Sequence, residues 1–299
     1  MDLRDFQILL ELNRHPFSSP GAIGKALGVT GNAVKARLDR MKAEGLLNGF
    51  FVMPVSAVFG RHWHVFPYLD VEPEPDLQEI LDVEDVVNVW RGRPRTIMVN
   101  TYSRTRGGAP SPKLAEVLHC PPSGVALPDA PNRFSANDAV LSPLDWRVIE
   151  ALLDRPRAPL ADLARATQLS PRTVRKRRDS LVSKGLLGII PNLDTSRESG
   201  LIVYSGHVAT KTRADLDRLH LPGLSVLRQL FDPPAAWVIG HAATYAELQQ
   251  VELKLLSIPG VISAQLVPSR GGALATERLR GWIQDELRAW KNRRSEPVH

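Results

Sequence analysis

Cysteine is almost absent: Cys120 is the only one in 299 residues, so no internal disulfide and no cysteine-rich metal site can form. Long apolar runs are missing, and none approaches the ~20 residues of a membrane-spanning helix. The N-terminus, Met1-Asp2-Leu3-Arg4-Asp5, lacks the apolar core of a signal peptide. These absences lead to the expectation of a cytoplasmic protein with no membrane partner. No Gly-rich phosphate loop, HExxH or nucleophile elbow occurs either. The expectation is therefore a chain without catalysis, cofactor or metal. An excess of acid is lacking too. Lys and Arg number 38 against 32 Asp and Glu, and the net charge of +6 favours an anionic partner such as nucleic acid.

What is present is an internal repeat. Sliding the chain by 140 residues aligns Asp5–Gly60 with Asp145–Gly200 without a gap, and twelve pairs are identical. They include Asp5/Asp145, Pro16/Pro156, Val34/Val174, Arg37/Arg177, Asp39/Asp179 and Gly45/Gly185. This spacing is too long for a solenoid unit and marks a duplicated pair of domains.

The first part of each repeat reads as three short helices. Phe6, Leu9, Leu10 and Leu12 give the first, ending near Pro16, with Trp146, Ile149 and Leu152 as their counterparts. The second spans Pro20–Leu27 and Leu160–Thr167, followed by the tight turns Gly28-Val29 and Gln168-Leu169. Thr30 and Ser170 are N-cap residues of the third, and Pro171 sits at its first position. Val34, Leu38 and Met41 form its buried face, and Gly45 and Gly185 stop it. Leu46-Leu47 and Leu186-Leu187 then open an extended wing.

Three helices and a wing form a winged helix-turn-helix, whose third helix enters the major groove. The expected DNA-binding residues are Thr30, Asn32, Lys35, Arg37 and Arg40, with Gly31 beside them, in the first copy. In the second they are Ser170, Arg172, Thr173, Arg175, Lys176 and Arg177. Asn and Arg suit bidentate reading of adenine and guanine edges; Lys and Arg further along sit on phosphates. The copies are unequal. Residues 30–47 carry Lys35, Arg37, Arg40 and Lys42 against Asp39 and Glu44, a net +2. Residues 170–187 carry Arg172, Arg175, Lys176, Arg177, Arg178 and Lys184 against Asp179, a net +5. The second helix is expected to bind DNA more tightly. Arg178 replaces Leu38 on the nominally buried face, so it either snorkels or packs differently.

The second part of each repeat reads as a small α/β unit. In the second copy the order is strand Leu201–Thr210, helix Arg213–Leu219, strands Leu224–Phe231 and Ala236–Ala242, helix Tyr245–Leu256 and strand Val261–Pro268. In the first it is strand His62–Val71, helix Asp76–Leu81, strands Val86–Trp90 and Thr96–Thr101, helix Pro112–His119 and a weak strand Gly124–Leu127. The order β-α-β-β-α-β is ferredoxin-like, so the fold class is α+β. The domains are expected at 1–56 and 143–196 (winged helix-turn-helix), 61–128 and 201–270 (ferredoxin-like), with a linker at 129–142 and a C-terminal helix at 273–292.

Leu-Ser-Pro-Arg-Thr-Val at 169–174, Lys-Gly-Leu-Leu-Gly at 184–188 and Leu-Leu-Ser-Ile-Pro-Gly-Val at 255–261, with this domain order, resemble the Lrp/AsnC (feast/famine) family of prokaryotic regulators. The resemblance implies a transcription regulator that binds palindromic double-stranded DNA, pairs through its α/β domains and senses a small-molecule effector. It implies that this chain is a fused pseudo-dimer, and that two chains form a homo-oligomer like the family's tetramer. The family's Gly-Asp-x-Asp-like turn has no counterpart at 91–95 or 231–235, so amino-acid binding does not carry over. The sirohaem decarboxylases look like the same architecture, and under that alternative His62, His64, Arg91, Arg93, Arg95 and His241 would contact a tetrapyrrole. A DNA-compacting architectural protein is a third reading. Leu279, Trp282, Ile283, Leu287 and Trp290 make one apolar stripe on the last helix, expected to pack on the α/β domains or on a second chain.

Overall fold

The computed structural model describes residues 1–92, 95–105, 109–122, 140–195, 200–231 and 234–295. The first repeat runs α1 (Leu3–Arg14), α2 (Pro20–Leu27), α3 (Gly31–Ala43), β1 (Leu47–Pro54), a 3-10 turn (Ser56–Phe59), β2 (His62–Tyr68), α4 (Leu77–Leu81), β3 (Val86–Gly92), β4 (Thr96–Ser103) and α5 (Pro112–Leu118). The second runs α6 (Pro143–Asp154), α7 (Leu160–Thr167), α8 (Pro171–Ser183), β5 (Leu187–Leu193), β6 (Ile202–Thr210), a 3-10 helix (Arg213–Arg218), β7 (Leu224–Phe231), β8 (Pro234–Ala242), α9 (Tyr245–Leu256) and β9 (Val261–Leu274). α10 (Thr276–Ser295) ends the chain. The strand expected at Gly124–Leu127 lies outside the described residues. No helix among them is long and apolar enough to cross a membrane.

The helix ends follow from the capping residues. Ser170 and Thr30 each accept a backbone N–H three residues on, from Thr173 and Ala33. Gly45 and Gly185 stand at φ 70° and 69°, a left-handed conformation that costs a glycine little. That turn lets the Leu46 and Leu186 N–H groups reach back to Met41 and Leu181 carbonyls, closing α3 and α8.

The wings do not fold back as hairpins. β1 pairs antiparallel with β5, with Phe50 opposite Pro191 and Phe51 opposite Ile190. Since residue 50 corresponds to 190 in the repeat, this register places a pseudo-two-fold axis through the ribbon, as in an isologous dimer interface.

The two α/β units are not separate either. Seven strands form one sheet in the order β2-β4-β3-β9-β6-β8-β7. β9 joins the halves. Its first part pairs with β6, from Val261–Thr210 to Pro268–Tyr204, and its second with β3, from Ser269–Gly92 to Leu274–Asn88. This second pairing is why the strand runs past the expected end at Pro268. The helix expected at Arg213–Leu219 is a 3-10 turn, tied at its start by Asp215 to the Thr212 hydroxyl (2.7 Å).

α4 and α5 cover one face of the first half, burying Phe66, Tyr68, Ile80, Ile97, Leu114 and Leu118. α9 and the 3-10 helix cover the same face of the second half, over Tyr204, Val208, Val238 and Leu266. The first helix-turn-helix buries Phe6, Leu9, Val34 and Met41 together with Val203 of β6, and the Phe6 ring meets His241 of β8 edge-on at 4.9 Å. The second buries Trp146, Ile149, Val174 and Leu181 together with Val87 and Tyr102 of β3 and β4. Each head therefore packs on the half-sheet that follows the other.

α10 packs on the second head. Leu279 and Ile283 are buried in its core, and Arg280 pairs with Asp154 of α6 at 2.6 Å. Trp282 lies under the Arg61 guanidinium (4.0 Å) and beside the rings of Phe59 and Tyr102.

Candidate DNA-binding interface

α3 and α8 carry the residues that the helix-turn-helix reading singled out. Thr30, Asn32 and Lys35 are exposed, as are Ser170, Arg172, Arg175 and Lys176. Thr173 is half-buried, its hydroxyl 2.9 Å from that of Ser170. Neither helix has an acid in its first turn. The positive dipole end and exposed N–H groups are thus left for an anion.

Not every arginine on these helices is free. Asp5, fully buried at the start of α1, accepts hydrogen bonds from Arg37 (2.8 Å) and Arg40 (2.5 Å). Arg37 also reaches Asp2 at 2.7 Å. Burial works to raise the Asp2 carboxyl, but the Arg37 hydrogen bond and charge win and hold it down at about 2. In the second head Arg177 faces Asp145 at 3.5 Å. Asp5 and Asp145 are also the capping-box residues of α1 and α6. Arg37, Arg40 and Arg177 thus tie α3 and α8 to the first helix of their own head.

The charge difference between the heads is widened by these pairs. Of the four cations of α3, Arg37 and Arg40 pair with Asp2, Asp5 and Glu44, while Lys35 and Lys42 make no ion pair among the described residues. Of the six of α8 and its exit, Arg172, Arg175, Lys176, Arg177, Arg178 and Lys184, Arg177 pairs with Asp145 and Arg178 with Asp179. Arg172, Arg175 and Lys176 make no ion pair among the described residues.

Sequence reasoning passed over the contact between the heads. Arg178 turns toward the first head, its guanidinium 3.9 Å from the Phe17 ring centre. Arg157, in the α6–α7 turn, donates to the carbonyls of Pro16 (2.8 Å) and Ser18 (3.0 Å). The signal was in the repeat: Arg157 stands where the first copy has Phe17, and Arg178 where it has Leu38.

Of the described residues of the tetrapyrrole alternative, His62 and His64 lie on one half-sheet and His241 on the other. His64 is buried beside Phe66, with ring centres 6.0 Å apart, on the face covered by α4 and α5. His62 is half-buried at the start of the same strand, and His241 lies against Phe6 in the first head. Arg91 pairs with Glu74 at 3.2 Å and Arg95 with Glu72. Arg93 lies outside the described residues. Between the two half-sheets Trp90, Met98, Ser205, Trp237 and Val267 line a cavity of about 10 Å³. That is room for about one water, where a ligand of effector size needs some hundreds of Å³. Among the described residues no three His, Cys, Asp or Glu side chains are grouped to hold a metal.

These helices, their turn and the strand that follows define a winged helix-turn-helix protein. A family model described as winged helix-turn-helix DNA-binding matches residues 1–48 and again 141–187. No curated protein matches the sequence. Among solved structures, the siroheme decarboxylase NirDL aligns over 96% of this chain and 99% of its own, at 10% identity and a TM-score of 0.45. AsnC of E. coli aligns over 42% of this chain and 90% of its own (18% identity, TM-score 0.26). The transcriptional regulator NMB0573 of Neisseria meningitidis, solved with L-Met, covers 45% and 90% (18% identity, TM-score 0.27).

The expectation of a chain without catalysis is corrected by this comparison. A solved structure that aligns over 96% of this chain is that of a siroheme decarboxylase.

Proposed function

We propose that this protein is a sequence-specific, double-stranded-DNA-binding transcription regulator of Lrp/AsnC type, with both reading heads fused in one chain. One observation carries the reading: Arg172, Arg175 and Lys176 stand exposed on the first turns of α8 and make no ion pair among the described residues. A helix that served only to support a core would gain nothing from three unpaired cations on its outer side. Their placement matches what a groove-entering helix needs, with side chains at base edges near the N-terminus and further charge toward the phosphates. The first head offers Asn32 and Lys35 at the corresponding positions and so contributes a weaker contact.

The test is fluorescence anisotropy of duplexes covering the DNA upstream of the protein's own coding sequence, at two salt concentrations. The reading predicts nanomolar to micromolar binding that weakens steeply with salt and survives competitor DNA of random sequence. Uniform coating of every duplex contradicts sequence specificity. Absence of duplex binding, together with a Soret-type absorbance on adding an iron tetrapyrrole, contradicts the DNA reading altogether.

A further inference from the structure

We infer that the two heads form one rigid DNA-reading body, clamped by Phe17 and Arg157, and that the protein therefore accepts its two half-sites at a single separation. The inference rests on the DNA-binding reading and adds the geometry of the target.

The clamp is built from both sides. Phe17, in the turn after α1, leaves its own head and packs against the core of the second. The Arg178 guanidinium covers its ring at 3.9 Å. Arg178 itself is held by Asp179 at 2.8 Å and is mostly buried, with 13% of its side chain exposed. It is not available to DNA, although it lies on the reading helix. From the other side, Arg157 reaches across to the Pro16 and Ser18 carbonyls that flank Phe17. Its stem and head also lie over Phe50 of β1, at 5.1 Å. Two forked donors on two fixed carbonyls leave the guanidinium little freedom.

This clamp cannot arise from two identical copies. Its members occupy positions at which the repeats differ: Phe17 against Arg157, and Leu38 against Arg178. The backbone of the pair keeps its symmetry in the β1–β5 register. The consequence is mechanical. β1 and β5 are paired to each other, each head rests on the other repeat's half-sheet, and the clamp ties the turn between α1 and α2 to the turn between α6 and α7 and to α8. No hinge is left between the two reading helices, so their separation is set by the protein and not by the DNA.

The experiment selects sequences from a pool of random duplexes with the full-length chain, then varies the spacer between the two enriched half-sites. Binding to one spacing is expected. Inserting about 5 bp, half a helical turn, turns the second half-site away and costs about 100-fold, the avidity of the lost head. In Phe17→Ala and in Arg157→Ala the loss falls to about tenfold or less, because loosened heads reach both faces. Arg157→Lys keeps the charge but loses the fork, and is expected to behave like Arg157→Ala. Circular dichroism melts check that each variant is folded, and a single half-site duplex checks that its heads still bind. Wild-type protein indifferent to spacing overturns the inference while leaving DNA binding intact. So do variants, folded and able to bind a half-site, that keep the strict spacing. A protein that enriches no duplex at all defeats the DNA-binding reading, and the inference with it.

Discussion

Replacing Arg172 and Arg175 together by Ala removes two of the cations of α8 that no carboxylate offsets, and the structure sets the size of the effect. Both side chains are exposed and make no ion pair among the described residues, so their loss leaves the fold intact. If one contacts a base edge and the other a phosphate, the first is worth about 1–3 kcal/mol and the second lowers the salt slope by about 0.9. Near physiological salt the double variant is expected to lose about 2–4 kcal/mol, roughly 30- to 1000-fold in affinity. Asn32→Ala with Lys35→Ala removes one cation from a helix whose Arg37 and Arg40 are already paired with Asp2, Asp5 and Glu44. It is expected to cost about 1–2 kcal/mol and to change the slope by no more than about 1. Anisotropy titrations of one duplex at four salt concentrations read both quantities. Equal losses and equal slope changes in the two double variants would refute the reasoning from charge pairing.

The buried carboxylate of Asp5 gives a second prediction. Asp5→Asn removes the buried charge that Arg37 and Arg40 share, leaving them Asp2 and Glu44, and is expected to cost about 1–3 kcal/mol of stability, read by thermal melting. Arg37→Ala is expected to lower the melting temperature without changing the salt slope for DNA; a slope reduced by about 1 would place Arg37 on a phosphate instead. Trp282→Ala is expected to cost about 3 kcal/mol, because the ring is enclosed by Arg61, Phe59 and Tyr102. An unchanged melting temperature with a change of oligomeric state would instead make Trp282 an anchor between chains. His207 is half-buried, its Nε2 has no hydrogen-bond partner among the described residues, and desolvation pushes its pKa down from 6.5 to about 4. The unfolded chain then binds the proton first as the pH falls. The stability from keeping this ring neutral is complete above about pH 6.5 and is lost toward pH 4, by at most about 3 kcal/mol. Melting curves between pH 7.5 and 4.5 are expected to fall less steeply for His207→Gln than for wild type; parallel curves contradict this.

Much of the architecture was legible because it depends on local chemistry. Ser170, Pro171 and Gly185 mark the ends of α8 without reference to anything distant, and the offset of 140 shows that the plan occurs twice. What was not legible depends on partners far away in sequence. Leu47–Pro54 reads as a strand, but nothing in its pattern says that it pairs with Leu187–Leu193 and not with its own neighbour. Val261–Pro268 reads as the last strand of a unit, whereas the continuation to Leu274 is fixed by β3, more than 160 residues earlier. At the interface, counting charge along a helix passed over the ion pairs of Arg37 and Arg177. Both are identical between the repeats, as are Asp5 and Asp145, and that double identity is the trace of an ion pair between helices.

The most direct measurement is a hydroxyl-radical footprint of the full-length protein on a duplex selected from the random pool, run beside the Arg172→Ala, Arg175→Ala double variant. Two protected patches on one face of the helix are predicted, with the more strongly protected one fading in the variant. A duplex that shows no protection, or protection that the variant leaves untouched, would contradict the assignment of α8 as the principal reading helix.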